Sequence, residues 1–292
     1  MEYGNIGNYY IIEPFVRLIH YTFPDCKIVT TFQMSERFCN DENVEVLPMD
    51  LYYSWENDRE IAQYELILAN EYIISGKRNH STPYIDLVSN VDLVIDFSGD
   101  IYGDNAGTWN FVESNLRLAF ALALNKPTVM LIGSPGPFKE TWRLMVAKAI
   151  MNRLDLITNR EPVSTEFLEY IGIEGRHVVS TACPSVLFRK DESERALDVL
   201  KYETLIPKIG AIIGLILCGW NMKEGPFDKW PRSEHEYEPF IKLIEYLIET
   251  IDCSVCLMSH QNSTDGNYNL IRGNDHRIIN QLLGVFKQKY NA

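Results

Sequence analysis

The fold of this chain is decided by residues 91–132, VDLVIDFSGDIYGDNAGTWNFVESNLRLAFALALNKPTVMLI. Val91–Phe97 and Thr128–Ile132 are apolar runs of strand length, and Asn110–Leu124 between them has apolar residues at helical spacing. Two strands joined through a helix form a crossover unit, in which the strands lie parallel in one sheet. The stretch therefore predicts a strand–helix–strand unit.

The same alternation continues on both sides of this unit. Further strands are predicted at Lys27–Phe32, Asp155–Thr158, Val178–Thr181, Ile209–Leu217 and Ser254–Met258, and further helices within Ser54–Ser81, Thr141–Leu154 and Glu238–Ile251. One more helix is predicted, with Pro162 at its start and Gly172 at its end. The sequence predicts an α/β protein with parallel sheets.

The length of 292 residues exceeds the usual size of one domain, so two domains are expected. The polar, charged stretch Arg189–Lys208 is the best boundary, because an α/β block lies on each side of it. We predict an N-terminal Rossmann-like domain over 1–195 and a partial C-terminal Rossmann-like domain over 205–292.

Charge and hydropathy argue against some classes of function. A net charge of −13 without a basic stripe argues against nucleic-acid binding, although an anionic small molecule can bind where a few cations converge. The longest apolar runs, 118–124 and 209–218, are shorter than a membrane span of about 18 residues. The N-terminus has no charged and then apolar leader. We expect a cytoplasmic protein without a transmembrane segment.

Six cysteines lack the regular spacing of a disulfide scaffold, which fits a reducing compartment. Cys253 and Cys256 are three residues apart in a predicted strand, so they point to opposite faces and cannot easily share a metal. We expect no metal site.

Four loops can carry chemistry. They are Gly4–Asn8, Ser98–Asp104, Gly133–Phe138 and Asn159–Glu161, and the last three follow predicted strands. The carboxyl ends of parallel strands share one edge of a sheet, so these three loops should converge there. Glycine loops let backbone amides approach an anion, although a loop of this kind taken alone is more often a tight turn.

Arg160 presents a planar fork of donors that suits a carboxylate or phosphate. The alternative is a solvated arginine paired with Glu161. Asp100 and Asp104 are either ligand contacts or turn formers. His260 ends a strand of the second region and should face an inter-domain cleft as a general acid or anion ligand, unless it is structural.

In their order and spacing these motifs resemble the polysaccharide pyruvyl transferase family. The matching segments are Gly4-Asn5-x-Gly7-Asn8, Phe97-Ser98-Gly99-Asp100, Gly133-Ser134-x-Gly136-Pro137-Phe138, Asn159-Arg160-Glu161-x-x-Ser164 and Ser259-His260. The resemblance implies two facing Rossmann-like halves, as in GT-B glycosyltransferases. It also implies transfer of pyruvate from phosphoenolpyruvate, the donor substrate, to a sugar of a cell-surface or exported polysaccharide, with no other cofactor.

The resemblance also implies roles for individual residues. Arg160 would hold the carboxylate or phosphate of the donor, and His260 would bind phosphate or transfer protons, which makes these two the candidate catalytic residues. The candidate substrate-binding residues are Gly4, Asn5, Gly7, Asn8, Ser98, Gly99, Asp100, Ser134, Gly136, Pro137, Arg160, Glu161 and Ser164. The partners would be the small-molecule donor and a glycan acceptor.

The chain departs from the family pattern in three places. Only three residues precede Gly4, Cys183-Pro184 stands where the family often has Asp-Pro, and we find no counterpart of the family's late Arg-x-His motif between His260 and Ala292. We therefore expect an incomplete second half, an exposed apolar patch and little activity. Two alternatives stay open: a GT-B glycosyltransferase that uses a nucleotide sugar, and a non-catalytic glycan-binding relative.

Overall fold

The computed structural model describes residues 6–31, 34, 36–47, 58–97, 99–188, 198, 201–202, 211–218, 232–260, 263–264, 270–272 and 275–290. The chain divides into two compact units, one comprising Pro14–Val186 and the other Met1–Glu13 with Leu187–Ala292. The predicted boundary segment Arg189–Lys208 lies almost entirely outside the described residues. The domain limits 1–195 and 205–292 therefore stay a prediction.

Helices and strands alternate through the first part of the chain. In order they are α1 (Ile6–Thr22), β1 (Ile28–Thr30), α2 (Glu36–Glu42), β2 (Val44–Val46), α3 (Asp58–Ser75), α4 (Pro83–Asn90), β3 (Val94–Asp96), α5 (Thr108–Ala123), β4 (Thr128–Gly133), α6 (Thr141–Met151), β5 (Leu156–Asn159), α7 (Pro162–Tyr170), β6 (Val178–Ser180) and a 3₁₀ helix (Pro184–Leu187).

The principal sheet of this unit has the order β3-β4-β5-β6, and every neighbouring pair is parallel. β1 and β2 form a separate parallel pair. The prediction of an α/β fold with parallel sheets is confirmed. All four strands of the principal sheet end at the same edge, so the loops that follow them meet there.

Helix α5 packs between two buried clusters because its apolar residues occupy two faces. Leu118 and Leu122 belong to the cluster that also contains Met130 of β4 and Ile157 of β5. On the other face, Phe120 and Ala121 pack against apolar side chains of α3 and α4. A fully buried Leu or Phe contributes about 1.5–3 kcal/mol, so these contacts hold the helix on the sheet.

An irregularity at the end of β4 changes the direction of the chain before the loop Gly133–Phe138. Met130 pairs with Ile157 but Gly133 pairs with Asn159, so β4 contains one extra residue, a bulge. Ile132 has a positive φ of 58°, and its amide donates to Thr158 Oγ1 at 2.7 Å instead of to a strand carbonyl.

The second unit has its own parallel pair of strands. Its elements are β7 (Ile212–Leu217), a 3₁₀ helix (Glu234–Tyr237), α8 (Glu238–Glu249), β8 (Ser254–Ser259), β9 (Ser263–Thr264), β10 (Leu270–Arg272) and α9 (Asp275–Tyr290). β7 and β8 are parallel over six residue pairs, whereas β9 and β10 are antiparallel. The buried cluster of this unit consists of Leu217, Tyr237, Ile241, Ile244, Ile278, Ile279 and Leu282.

A buried polar network lies beside that cluster. Arg232 Nη1 is 3.2 Å from Glu236 Oε2, and both side chains are almost completely buried. Tyr237 donates its hydroxyl to Gln281 Oε1 at 2.9 Å, and Gln281 Nε2 donates to the carbonyl of Arg232 at 3.2 Å. The network therefore ties the 3₁₀ helix to α9.

Most predicted strands and helices are found within a few residues of their expected limits, including α3 inside Ser54–Ser81 and α7 with Pro162 in its first turn. One expectation is wrong. Gly7 and Asn8 lie in the first turns of α1 and not in a loop, because Ile12, Phe15 and Val16 form a buried helical face just after them. The strands β2, β9 and β10 and the helices α1, α2 and α4 were not predicted, and no limits were predicted for α9.

No helix in the described part of the chain is both long and apolar enough to cross a membrane. The same residues contain no group of three or more histidine, cysteine, aspartate or glutamate side chains placed to hold a metal ion.

Candidate active site at the carboxyl edge of the principal sheet

The loop after β3, called the first loop, and the loop after β4, called the second loop, are joined by backbone hydrogen bonds. The amide of Ser134 donates to the carbonyl of Gly99 at 2.9 Å, and the amide of Asp104 donates to the carbonyl of Pro137 at 2.8 Å. A third bond runs from Gly136 to Tyr102 at 2.6 Å. Since each loop satisfies backbone groups of the other, the two loops form one structure.

Two glycines permit the close approach of the two loops to each other and to α7. A Cβ on Gly103 would lie 2.5 Å from the carbonyl oxygen of Gly136, and a Cβ on Gly136 would lie 2.6 Å from the ring of Phe167. Gly136 also has a φ of 98°, which side chains disfavour. Packing therefore accounts for the presence of glycine at both positions. A direct ligand contact for Gly136 stays a prediction.

Asp104 ties the start of α6 to the first loop. Its carboxylate accepts hydrogen bonds from the amides of Lys139 and Glu140, the latter at 3.4 Å. Of the two roles considered for Asp104, the loop-forming one therefore matches its contacts. Asp100 is exposed and has no hydrogen bond to another described residue, so its predicted ligand contact stays open.

Arg143 is a buried connection between the first loop and the start of α6. Its side chain is 5% exposed, and Nη1 donates to the carbonyls of Gly103 at 2.7 Å and Ala106 at 2.9 Å. Its guanidinium carbon lies 5.0 Å from the ring centroids of both Phe111 and Trp142. These contacts hold the first loop against the N-terminal turns of α5 and α6.

The loop after β5 brings Arg160 to the same place. The amide of Arg160 donates to the carbonyl of Gly133 at 3.2 Å, and its Nε donates to Ser134 Oγ at 2.6 Å. Nε is also 3.4 Å from Glu161 Oε2. Arg160 therefore has the predicted ion pair with Glu161 and, in addition, a contact with the second loop.

The outer part of the Arg160 fork is open. Among the described residues, none accepts a hydrogen bond from Nη1 or Nη2, and the side chain is 28% exposed. A guanidinium whose Nε is fixed and whose terminal nitrogens are unoccupied can bind the two oxygens of a carboxylate or phosphate.

Glu161 and Ser164 organise the start of α7. Ser164 is buried and donates its hydroxyl to Glu161 Oε1 at 2.9 Å, so the Glu161 carboxylate is shared between Ser164 and Arg160. Asn159 is fully buried and donates to Thr165 Oγ1 at 2.9 Å, but its Oδ1 has no partner among the described residues. These residues orient Arg160 from the helix side.

His260 belongs to the other unit and follows β8 directly, as predicted. Its amide donates to the carbonyl of Leu217 at 3.4 Å, so it lies at the carboxyl end of the β7-β8 pair. Its Nδ1 is buried and has no partner among the described residues. The expectation that His260 faces Arg160 across a cleft stays a prediction.

The structure thus brings together Gly99, Ser134, Gly136, Pro137, Arg160, Glu161 and Ser164 through the loops described above. Gly4, Asn5 and Ser98 lie outside the described residues, and Gly7 and Asn8 are helical. Arg143 was missed by sequence reasoning. Its spacing offered a signal, because it shares one buried helical face with Ala147 and Met151, where a charged residue needs an explanation.

A family model described as polysaccharide pyruvyl transferase matches residues 5–291, nearly the whole chain. This chain belongs to the polysaccharide pyruvyl transferase family. The family match confirms the resemblance that the loop motifs indicated.

Among curated proteins, this family member is similar to the amylovoran biosynthesis protein AmsJ of Erwinia amylovora. The two are 27% identical over 263 residues, which is 84% of this chain and 61% of AmsJ. The chain therefore spans about three fifths of the relative's length. No solved structure matches the chain.

Proposed function

We propose that this pyruvyl transferase family member transfers pyruvate from phosphoenolpyruvate to a sugar of an exported or cell-surface polysaccharide. The observation that carries the proposal is the position of Arg160 at the carboxyl edge of the principal sheet. Its Nε is held by Ser134, its terminal nitrogens have no acceptor among the described residues, and the chain belongs to this family. The AmsJ similarity supports a polysaccharide as the acceptor.

The charge of the donor agrees with this arrangement. Phosphoenolpyruvate carries both a carboxylate and a phosphate, whereas the chain has a net charge of −13. An anionic donor needs a local cation that outweighs the distant, screened carboxylates. Arg160 supplies that cation, and the bond to Ser134 keeps it from folding back entirely onto Glu161.

The proposed chemistry consists of three bond-forming steps. The donor methylene carbon takes up a proton, and a sugar hydroxyl forms a C–O bond to the adjacent carbon. A second hydroxyl of the sugar then displaces phosphate to close the ketal. One hydroxyl proton ends on the new methyl group and the other on the released phosphate.

We assign the residues as follows. Arg160 binds the donor carboxylate or phosphate and stabilises the charge that develops as phosphate leaves. His260 binds the phosphate or transfers the proton, because an imidazole changes charge near neutral pH. The loop held by Arg143 and the loop after β4 that is bonded to it shape the pocket around the donor.

The test is phosphate release from phosphoenolpyruvate in the presence of a panel of polysaccharide fragments. We expect release that requires both an acceptor and Arg160, with Arg160→Ala inactive and Arg153→Ala unaffected, because Arg153 lies before β5 at the opposite edge of the sheet. Nucleotide release from a sugar nucleotide would instead identify a glycosyltransferase. Glycan binding without turnover of either donor would identify a non-catalytic relative and overturn the proposal.

A further inference from the structure

Two tryptophans are exposed next to the loops of the candidate site. Trp109 is 73% exposed in the first turn of α5, and Trp142 is 40% exposed in the first turn of α6. Both helices begin where the loops after β3 and β4 end, so both indoles lie on the site's side of the sheet. Aromatic rings exposed beside a candidate site offer apolar faces on which a ligand can pack.

Trp142 is held rigidly from one side. The ring of Phe111 packs edge-on against it at a centroid distance of 5.3 Å, and the guanidinium of Arg143 lies 5.0 Å from its centroid. Its Nε1 donates to Glu140 Oε2 at 2.9 Å. The indole therefore keeps one orientation while a large part of it stays in contact with solvent.

The same Arg143 connects the two tryptophan-bearing turns. Its Nη2 is 3.4 Å from the hydroxyl of Thr108, the residue directly before Trp109, while its guanidinium packs on Trp142. One buried side chain thus fixes the backbone beneath Trp109 and the ring of Trp142. The two tryptophan-bearing turns are therefore fixed by the same side chain.

A carboxylate beside the indoles is available for hydrogen bonding. Glu140 accepts from Trp142 and Arg143 through Oε2 only, and its side chain is 53% exposed. Its Oε1 has no partner among the described residues. An apolar ring face next to a free carboxylate oxygen matches a pyranose, which has a C–H face and hydroxyl groups at its edge.

We propose that Trp142, Trp109 and Glu140 form the subsite that binds the acceptor glycan. A sugar ring stacks on the open part of Trp142, a hydroxyl of that sugar donates to Glu140 Oε1, and Trp109 contacts a neighbouring sugar of the chain. The inference rests on the proposed function, since it names where the polysaccharide acceptor of that reaction lies. Neutral or weakly polar glycans bind here more readily than polyanionic ones, because Glu140 would repel them.

The experiment measures glycan binding in the absence of phosphoenolpyruvate. The full chain is tested against an array of bacterial polysaccharide fragments with gluco- and galacto-tetraoses, and the dissociation constant is measured for each fragment that binds. We expect Trp142→Ala to weaken binding about tenfold, Trp142→Phe to retain most of it, and Trp109→Ala to weaken it about threefold. Tyr170→Ala should have no effect, since Tyr170 is an exposed aromatic at the far end of α7.

Folding and function are controlled separately. Trp109 is mostly exposed, so Trp109→Ala leaves the core intact even where Trp142→Ala lowers stability. Glycan binding that is sensitive to Trp142 but unaccompanied by phosphate release would overturn the proposed reaction and support the subsite. Phosphate release with an unchanged acceptor KM in both alanine variants, or no fragment bound by the unaltered chain, would overturn the subsite.

Discussion

The two units of the chain use buried polar groups in different places. In the unit Pro14–Val186, Arg143 and the backbone hydrogen bonds between loops lie at the carboxyl edge of the sheet, the edge that also carries Arg160. In the other unit, the Arg232–Glu236 pair lies between a 3₁₀ helix and α9, while His260 at the strand end has a buried, unpartnered Nδ1 among the described residues.

The two networks position different parts of the molecule. In the first unit the polar contacts fix Arg160, the proposed donor-binding residue, and a preorganised site reduces the cost of binding. In the second unit the polar contacts fix helices to one another. We therefore expect substitutions in the first network to change function more than stability, and substitutions in the second to do the reverse.

The largest effect on stability is expected from Arg232→Met. The substitution leaves the Glu236 carboxylate buried without its cation, which costs about 3–5 kcal/mol. The double variant Arg232→Met/Glu236→Leu should recover most of that loss, because no buried charge remains. Amide hydrogen exchange in β7 and β8 reports the stability of this unit.

Lys27→Met provides the matched control. It breaks an ion pair with Glu45 in which both side chains are more than half exposed, so we expect a change of about 0–1 kcal/mol. Equal losses in Arg232→Met and Lys27→Met would mean that the second network does not stabilise its unit.

Arg160→Lys tests the functional side of the comparison. Lysine keeps the charge but cannot donate from Nε to Ser134 while presenting two further donors to the donor substrate. We expect kcat/KM for phosphoenolpyruvate to fall about 10- to 100-fold, which corresponds to about 1.5–3 kcal/mol. The free energy of unfolding should change little. An unchanged kcat/KM beside the control Arg153→Lys would remove Arg160 from the donor site.

Adding one methyl group to a glycine should have opposite effects in the two units. In Gly103→Ala the new Cβ meets the backbone of Gly136 at 2.5 Å, which cannot move aside without separating the loops. We expect a loss of about 1–3 kcal/mol. Gly284→Ala places its Cβ in open space within α9 and should stabilise by about 0.5–1 kcal/mol. Urea unfolding of both variants measures the contrast, and a neutral Gly103→Ala would show that the loop contact is loose.

The smallest effect at neutral pH is expected at one of two buried tyrosines, Tyr84. Burial raises the pKa of Tyr84 to about 12 and the pKa of Tyr237 to about 12, from an ordinary value of 10. At pH 7, Tyr237→Phe should cost about 1 kcal/mol, because Gln281 Oε1 loses its donor. Tyr84→Phe should be nearly neutral.

Alkaline pH provides a further check on these tyrosines. Between pH 10 and pH 12 the unfolded chain loses phenolic protons that the folded chain retains, so the free energy of unfolding falls as the pH rises. The stabilising contribution is complete below pH 10. Tyr84→Phe should make this fall less steep in a pH series of unfolding curves, and an unaltered slope would show that Tyr84 ionises normally in the folded chain.

The sequence by itself determined the order of the strands in the principal sheet and the edge at which the loops lie. Apolar runs such as Val91–Phe97 and Thr128–Ile132 carry enough side chains to reveal their period, and parallel strands necessarily end on one side. That reasoning identified Arg160 and its neighbours. The three-residue strand β2 and the hairpin β9-β10 are too short to show a period, so their pairing depends on partners elsewhere in the chain.

Only the tertiary structure decided how the candidate site is assembled. The contact between Ser134 and Arg160 joins residues 26 positions apart and follows a bulge that no local pattern announces. The burial of Arg143 and the position of Trp142 on its guanidinium depend on how α5 and α6 pack together. Local propensity acts over one or two turns, whereas these side chains are oriented by neighbours from separate elements.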